Sequence, residues 1–485
     1  MLFNSLGFAI FLPIVFVIYW AVPHKYRYLP LLAASYYFYM SWNPKYVLLI
    51  LLTTAVSYTC AILVEGCVST SKKRAKAYIA AALVVCLGVL FFFKYFNFFS
   101  ESLCSLLSLF SIKLSPYTVA LLLPVGISFY TFQSLSYVID VYRGEVKAQR
   151  NFLKYALFIS FFPQLVAGPI ERTKNLMPQL FEERQFDEKK AVIGLRLMLV
   201  GFIKKLVLSD TIGKYVDIVF DDVHSYFGLT FIVAAILFTF QIYCDFSGYS
   251  DIAVGCAKLL NIDLMKNFDS PYFSKSIREF WSRWHISLST WFRDYVYIPL
   301  GGSRVSKARN IFNIMVTMLV SGLWHGANWT FVLWGGLHGV YQILERIFTR
   351  PNTEKETGGK RIYAIGRTLL TFGLVSFAWI FFRADSLEDA FFVVTHLHNG
   401  VIHFGNAFLK MMIDTTFNAG SFTKVVICLI GLGVYDYFSL KRDLLEDYGS
   451  LPTVVRWLGY VVVVSAIIVL KLHGGTTQSF IYFQF

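Results

Sequence analysis

The feature that most constrains the fold of this chain is a series of apolar runs that recur along its length. A helix that crosses the hydrocarbon core of a membrane needs about 20 mainly apolar residues. Charged residues make up only 15 % of the 485 residues, whereas soluble domains carry about a quarter. Candidate spans lie at 6–22, 28–42, 46–64, 77–98, 117–139, 191–209, 229–244, 311–324, 328–347, 363–382, 424–439 and 454–471. The sequence therefore predicts an all-α fold, a polytopic transmembrane helical bundle of about 11–12 spans.

The apolar runs show no repeats or low-complexity tracts, so we expect a single membrane domain over residues 1–485. Segment 153–170 is apolar, but two prolines and a glycine interrupt it. Broken backbone at membrane depth is tolerated where protein buries it or where it lines a cavity, and this segment is expected to be re-entrant. Residues 350–361 are rich in charge and glycine and are expected to form a solvated loop.

The distribution of basic residues predicts the orientation of the chain. With the N-terminus outside, the basic loops fall on the cytoplasmic side and the acidic loop 210–228 falls outside, as the positive-inside bias requires. The basic loops on this count are 24–27, 71–76, 142–150, 349–361 and 441–447. The net charge of +14 then reflects this bias and anionic lipid headgroups of the bilayer rather than nucleic acid. We expect a multi-pass protein of the cytoplasmic (inner) cell membrane.

Several kinds of site are not expected from the sequence. The seven cysteines form no CxxC pair and lie mostly in apolar runs, which argues against a disulfide framework and against a zinc site. No GxSxG, HExxH, P-loop or GxGxxG pattern occurs. We expect no bound metal, and the candidate chemistry therefore rests on polar residues inside or beside the apolar runs.

Three carboxylates lie just beyond the C-terminal ends of two apolar runs and are expected at membrane depth, where ionisable groups are costly and by default functional. Asp140 precedes Arg143 by three residues, so the two share a helix face and are expected to pair at the interface. Asp245 and Asp251 flank Gly248, which is expected to break the helix. The two carboxylates then either cap short helices on each side or line a polar path. A transporter or flippase for a polar lipid or a sugar is one function that this pattern allows.

Residues 262–310 interleave aromatic and basic side chains and are expected to be cytoplasmic or half-embedded in the interface. The arginines of this segment are Arg278, Arg283, Arg293, Arg304 and Arg309. One interpretation is an amphipathic interfacial helix with tryptophans at headgroup level. The other is a binding surface for a phosphate-bearing donor, such as coenzyme A or a phosphopantetheine-bearing carrier, because arginine matches phosphate oxygens. A candidate histidine, His285, lies in the sequence RWHISLS.

A second histidine stands among small and aromatic residues in SGLWHGANW (321–329), between two apolar runs. Glycines beside His325 let backbone or substrate approach closely, while Trp324 and Asn328 offer an aromatic wall and an amide. Burial favours the neutral imidazole, the form that acts as a general base. His338 follows 13 residues later, about 220° around a straight helix. It is therefore expected to pack between helices rather than to join His325.

Five ordered motifs together resemble the membrane-bound O-acyltransferase (MBOAT) superfamily, and in particular its alginate O-acetylation branch. They are LLPVGISFYTFQSLSYVIDVYRG (122–144), FFPQLVAGPIER (161–172), YCDFSGYSDIAVG (243–255), EFWSRWHISLSTWFRDYVYIPLGG (279–302) and SGLWHGANWTFVLWGGLHG (321–339). The resemblance implies a multi-helix acyltransferase with a central tunnel. It also implies that the histidine of the WHG motif, His325 here, lies at a constriction of the tunnel, and that His285 occupies the second polar position.

The resemblance further implies that an acyl group, most directly acetyl, moves from a cytoplasmic thioester to hydroxyls of an extracytoplasmic polysaccharide. The donor would be acetyl-CoA or an acyl carrier protein thioester. The partners would be an outer-side acetyltransferase and other cell-surface glycan assembly proteins. His325 is expected to act as general base, and His285 with Arg283 to position the acyl carbonyl or the donor. Arg293 and Asp294 of the same motif are expected on the donor-binding surface.

Two other hypotheses stand beside acyl transfer. A transporter would depend on the intramembrane carboxylates and would tolerate the loss of His325. A scaffold that only anchors a cell-surface assembly would tolerate the loss of either. Only acyl transfer requires the histidine.

Overall fold

The computed structural model describes residues 1–120, 122–166, 168–348, 360–399, 408, 411–412, 415, 419–472 and 480–481. Within these residues the secondary structure is helical and no β-strand occurs, which confirms the predicted all-α fold. The first helices are α1 (Leu6–Ala21), α2 (Tyr28–Met40), α3 (Val47–Cys67), α4 (Lys72–Leu90), α5 (Phe96–Ser108), α6 (Ile127–Arg143), α7 (Phe152–Ser160), α8 (Phe162–Leu165), α9 (Thr173–Phe181), α10 (Glu188–Phe202) and α11 (Asp210–Phe220). The others are α12 (Leu229–Leu259), α13 (Ile277–Arg283), α14 (Ile286–Phe292), α15 (Lys307–His325), α16 (Trp329–Phe348), α17 (Lys360–Arg383), α18 (Leu387–His396), α19 (Ala419–Ser439), α20 (Leu444–Ser450) and α21 (Thr453–Leu472).

Several of these helices are long and apolar enough to cross a membrane. By length and composition the described residues contain five such helices, at Pro44–Cys67, Lys72–Ser108, Leu229–Leu259, Ile362–Arg383 and Phe422–Ser439. Two shorter apolar helices, Leu6–Ala21 and Thr453–Val469, add to them. The predicted total of about 11–12 spans stays a prediction. Of the predicted loop 350–361, residues 350–359 lie outside the described part of the chain.

One predicted span and one predicted helix break differ in the structure. The predicted span 117–139 becomes a helix only from Ile127, because Pro124 cannot continue a helix and Gly126 takes a left-handed backbone with φ of 74°. Gly248, predicted to break a helix, instead lies inside the continuous helix α12. A Cβ at Gly248 would lie 2.8 Å from the carbonyl oxygen of Gly201, so the glycine serves close helix packing rather than a break.

The acidic segment 210–228 is also more ordered than the predicted loop. It is helical as far as Phe220, and the π-helical turn Ile203–Ser209 joins α11 to α10. π-helical turns are rare and often occur at functional sites. Here the turn contains two consecutive lysines, Lys204 and Lys205, that are both buried.

The chain divides into two compact units. The first consists of Met1–Met198 and Ser250–Met265, the second of Leu199–Tyr249 and Lys266–Phe485. Phenylalanines from α1, α2 and α8 pack against one another in the first unit. Segment 153–170 also lies there, as the short helices α7 and α8 on either side of Phe161. The helix is therefore broken as predicted, and the re-entrant placement in a membrane stays a prediction.

A buried carboxyl group, Glu171, follows this broken helix in the first unit. Its oxygens accept hydrogen bonds from the backbone N–H of Met265 and the amide of Asn175. Burial raises the pKa of Glu171 to about 7, although these hydrogen bonds act in the opposite direction. The folded protein therefore binds a proton at Glu171 more tightly than the unfolded chain does.

This difference predicts a pH dependence of stability. Between the ordinary pKa of 4.5 and about 7, the folded state holds more protons, so the free energy of unfolding falls as the pH rises. We expect the thermal unfolding midpoint of the protein in detergent to decrease across this window, and Glu171→Gln to flatten the decrease. The measurement is a series of melting curves from pH 4.5 to 8 for both proteins. Parallel curves for the two proteins would contradict the assignment to Glu171.

Candidate functional site

The turn that holds His325 is formed by the residues that follow it. Helix α15 ends at His325 because Gly326 adopts an extended conformation, with φ of −155°. Helix α16 begins four residues further on, at Trp329, where the side-chain oxygen of Asn328 accepts the backbone N–H of Thr330. The imidazole at the end of α15 is only 2 % exposed. The turn therefore buries a titratable side chain within the second unit.

Aromatic rings surround His325. The indole rings of Trp324 and Trp334 lie 5.0 and 5.1 Å from the imidazole, and the ring of Phe382 lies 5.5 Å away. The ring of His285 is 6.3 Å distant, centroid to centroid. The structure thus brings together three of the predicted site residues, His325, His285 and Trp324, in one buried cluster. Such surroundings exclude water from the imidazoles.

The position of His285 depends on Asn267. His285 lies between α13 and α14 in a left-handed backbone conformation, with φ of 44°, which is uncommon for a residue other than glycine. The side-chain oxygen of Asn267 accepts hydrogen bonds from both the backbone N–H and the hydroxyl of Ser287. The same oxygen lies 3.2 Å from Nδ1 of His285. The backbone N–H can only donate, so this oxygen is an acceptor and Nδ1 must carry the proton. Nε2 of neutral His285 is then a hydrogen-bond acceptor.

This turn also bears on the first of the two interpretations of residues 262–310, a single interfacial helix. The segment does not form a single amphipathic interfacial helix, because the chain turns sharply at His285 between α13 and α14. Trp284, Trp291 and Phe292 face the protein interior. The predicted interfacial helix is therefore wrong in form, and the cytoplasmic location of the segment stays a prediction.

The close approach of α15 and α16 depends on small residues. A Cβ added to Gly322 would collide with the backbone oxygen of Phe331, and one added to Gly335 would collide with that of Met318. Neither obstacle is a flexible side chain. The two glycines therefore fix the distance between the helix that ends at His325 and the helix that contains Trp334.

We expect Gly335→Ala to destabilise the protein by about 1–3 kcal/mol, because the added methyl group must push one backbone away from the other. Gly366→Ala is the matched control, because a Cβ there meets nothing within 4 Å, and alanine favours a helix over glycine. The measurement is the unfolding free energy of each variant in detergent. Equal stability of the two variants would show that α15 and α16 can separate at no cost.

A cavity of about 500 Å³ lies beside the His325 turn. Its lining residues are Asp217, Asp221, Ala327, Asn328, Phe331, Arg383, Ala384 and Asp385. Asp217 and Asp221 hold the guanidinium of Arg383 at 3.0 and 2.8 Å, and the amide of Asn328 donates to the backbone oxygen of Asp385. The predicted site residue Asn328 thus belongs to the wall of this cavity and caps α16 rather than contacting the imidazole.

The other predicted site residues lie outside the histidine cluster. The Arg283 guanidinium is held by the Glu279 carboxylate at 2.9 Å and donates to the backbone oxygen of Asp269. Arg293 and Asp294 pair with each other at 2.8 Å, and the arginine side chain is 59 % exposed. A role of these three residues in donor binding stays a prediction. Among the described residues, no group of three His, Cys, Asp or Glu side chains could hold a metal ion.

The sequence did not predict a buried ion-pair network in the second unit. The ammonium group of Lys205 lies 2.5 Å from Asp245 and 2.8 Å from Asp210. The second oxygen of Asp245 accepts the backbone N–H of Ile481. Asp245 therefore forms a buried ion pair inside a continuous helix, so the predicted helix cap at this residue is wrong and the predicted polar path stays a prediction. The lysine pair in an apolar run was the available signal, because a buried cation requires an anion.

His338 is also placed differently from its prediction. The angle of about 220° assumed one straight helix, but the chain reverses at 326–328, so the two histidines lie on antiparallel neighbours. Both imidazoles contact Trp334, at 5.1 Å for His325 and 5.0 Å for His338. His338 therefore belongs to the same aromatic cluster as His325.

Comparisons with known proteins identify the family of this chain. The model of the family described as MBOAT, membrane-bound O-acyltransferase family, matches residues 49–383. The chain is 38 % identical over 440 residues to the probable alginate O-acetylase AlgI of Azotobacter vinelandii, covering 90 % of this chain and 85 % of that one. It is 36 % identical to the corresponding protein of Pseudomonas putida over the full length of both chains. The peptidoglycan O-acetyltransferase of Helicobacter pylori is 35 % identical over 74 % of this chain and 71 % of its own.

The family match covers more than half of the chain and includes α15, α16 and the turn at His325. It confirms the resemblance found in the five motifs and identifies the chain as an enzyme rather than a transporter or a scaffold. The protein belongs to the membrane-bound O-acyltransferase family.

Proposed function

We propose that this enzyme transfers acetyl groups from a cytoplasmic thioester toward hydroxyl groups of an extracytoplasmic polysaccharide. The observation that carries the proposal is the pair of buried imidazoles, His325 and His285, in a water-excluding aromatic cluster beside a polar cavity. Relatives of similar length are named for alginate O-acetylation and peptidoglycan O-acetylation, which supports acetyl as the acyl group and a glycan as the final acceptor.

His325 is the general base of the proposed reaction. Its imidazole takes the proton from the attacking hydroxyl, whose oxygen forms the new ester bond with the acyl carbon. The carbon–sulfur bond of the thioester breaks, and the thiolate leaves with the proton that His325 gives up. Proton transfer by a positioned base contributes about 10²–10⁴ to a rate. Exclusion of water from the buried imidazole limits hydrolysis of the thioester.

The tautomer of His285 restricts the part that this residue can play in the reaction. Its Nε2 is an acceptor in the neutral ring, so it cannot donate to the acyl carbonyl. We propose that it accepts a hydrogen bond from the N–H of the His325 ring, which orients the other nitrogen of that ring toward the attacking hydroxyl. Arg283 would stabilise helix α13, which precedes His285. Arg293 and Asp294 would contact the donor at the exposed surface.

The cavity beside Asn328 is the proposed entrance for the acceptor. It lies at the end of α17 that is remote from the predicted cytoplasmic loop 349–361, and it contains residues of the predicted outer segment 210–228. This placement is what an N-terminus outside the cytoplasmic membrane would require. The donor, acetyl-CoA or an acyl carrier protein thioester, would enter from the opposite side. An outer-side acetyltransferase or glycan assembly protein would receive or guide the acetyl group.

The proposal is tested by the ester-linked groups on the cell surface. Mild base releases acyl groups from the purified surface glycans of host cells that contain or lack this gene, and mass spectrometry identifies them. We expect acetate in the complemented cells and its loss without the gene. Release of a different acyl group in a gene-dependent manner would contradict the assignment of acetyl, and equal acetate in both would contradict the function.

A further inference from the structure

The proposed mechanism leaves His338 without a role. It is fully buried on α16, one helical turn after Trp334. The ring of Trp281 lies 5.1 Å away on its other side. A histidine used only for packing could be replaced by phenylalanine, which fills similar space without the cost of burying two polar nitrogens. The hydrogen bonding of the ring therefore bears on its function.

The partner of His338 determines which of its nitrogens carries the proton. The indole N–H of Trp281 donates to Nδ1 of His338, with a nitrogen–nitrogen distance of 3.2 Å. An indole nitrogen can only donate, so Nδ1 must be the acceptor and the neutral ring carries its proton on Nε2. His285 is in the opposite tautomer, with the proton on Nδ1 toward Asn267. The cluster therefore contains one histidine that accepts at Nε2 and one that donates there.

Nε2–H of His338 is not the only buried donor in this cluster. Within the described part of the chain, the Nε2–H group of His338 has no hydrogen-bond acceptor. The indole N–H groups of Trp284 and Trp334 have none either. All three side chains are fully buried. Each buried donor left without an acceptor costs about 1–3 kcal/mol. These three groups are all donors, so a ligand that satisfies them must bring acceptors, and an uncharged ligand avoids the cost of burying an ion.

We propose that this donor cluster, His338 with Trp284 and Trp334, binds carbonyl oxygens of the pantetheine-type arm of the acyl thioester donor, with Nε2–H of His338 as a direct substrate contact. The inference rests on the proposed function and names a binding site for its donor. A pantetheine arm is slender and uncharged, and its amide and thioester carbonyls are acceptors. Trp334 contacts both His325 and His338, so an arm bound along its indole would place the thioester toward His325.

Two substitutions separate this role from a structural one. In His338→Asn, the shorter amide keeps an acceptor at the Nδ1 position for Trp281 but loses the donor at Nε2. In His338→Gln, the longer amide keeps an N–H near the Nε2 position but loses the geometry of the Trp281 bond. A ligand-binding role therefore makes the asparagine variant the weaker binder, and a purely structural role makes it the better one.

The experiment measures the dissociation constant of S-acetyl-pantetheine for the full-length protein in detergent, by titration calorimetry. We expect His338→Asn to weaken binding about 10-fold, the loss of about one buried hydrogen bond. We expect a smaller loss for His338→Gln, about 3-fold. Melting curves of both variants show that they are folded. The reverse order of the two variants, or no binding of the probe by the wild-type protein, would overturn the proposal.

Two further measurements distinguish a failure of this inference from a failure of the function on which it rests. His325→Ala should still bind S-acetyl-pantetheine while surface acetate disappears. If surface acetate persists in that variant while His338→Asn still weakens probe binding, the binding site stands and the role of His325 falls. Acetyl-CoA and an acetylated carrier protein are titrated in parallel. Tighter binding of one of them than of the free arm supports the proposal and identifies the source of the arm.

Discussion

Replacing His325 by alanine is expected to lower the rate of acyl transfer about 100-fold or more, because the reaction loses its general base. The effect should be on the chemical step, since the proposed role of the imidazole is to take the proton of the reacting hydroxyl rather than to bind the pantetheine chain of the donor. The measurement is the initial rate at which base-labile radiolabel from acetyl-labelled coenzyme A enters the acceptor fraction of host membrane vesicles. The rate is divided by the amount of enzyme in the membrane, determined by immunoblot.

A second variant distinguishes proton transfer from hydrogen bonding at this position. His325→Gln preserves an amide that donates and accepts but cannot take up a proton, so we expect the same loss as for alanine. His224→Ala is the matched control, because that imidazole is on an exposed side chain 3.7 Å from Asp389 and should leave the rate unchanged. A glutamine variant with more than half of the wild-type rate would show that His325 only positions the hydroxyl.

Replacing Lys205 by methionine is expected to destabilise the folded protein by about 3–5 kcal/mol, because it strands two buried carboxylates. Asp210 and Asp245 both lie within 2.8 Å of the lysine nitrogen, and the lysine side chain is only 1 % exposed. Methionine fills similar volume, so the loss reports charge rather than packing. The measurement is the unfolding free energy in detergent from denaturant titration.

Lys190→Met provides the comparison. The substitution and the lysine–aspartate distance are the same as for Lys205 and Asp210, whereas the Lys190 pair is far less buried. Lys190 lies 2.8 Å from Asp263, with the two side chains 36 and 43 % exposed. An exposed pair contributes about 0–1 kcal/mol, so this variant should be close to the wild type. Adding Asp245→Asn to Lys205→Met should recover part of the lost stability. A loss below about 1 kcal/mol for Lys205→Met would show that the carboxylates are protonated or solvated in the folded protein.

The helices were largely predictable because their signal is local. A membrane span is set by the length and apolarity of one segment, and α1, α3 and α17 follow the predicted runs closely. The exceptions arise where packing overrides local preference. Gly248 costs helix stability by its intrinsic propensity, yet the approach of Gly201 requires a residue without a side chain. The π-helical turn at Lys204 and Lys205 likewise has no sequence signature that apolar length can reveal.

The candidate site was predictable in part. The WHG and RWH motifs identified His325 and His285 because small and aromatic neighbours mark a buried imidazole. The partners that set the tautomers, Asn267 and Trp281, are 18 and 57 residues away from His285 and His338, and only the fold brings them near. The pairing of Lys205 with Asp245 is equally non-local. Contacts of this kind depend on how helices pack, which periodicity within one helix does not determine.

The most direct test of the account is the amount of ester-linked acetate on surface glycans of host cells whose only copy of this gene carries His325→Ala. Immunoblots of the membrane fraction establish that the variant is inserted at the wild-type level. If acyl transfer takes place at His325, acetate falls to the level of cells without the gene. Acetate at the wild-type level would show that acyl transfer does not require the buried imidazole of His325.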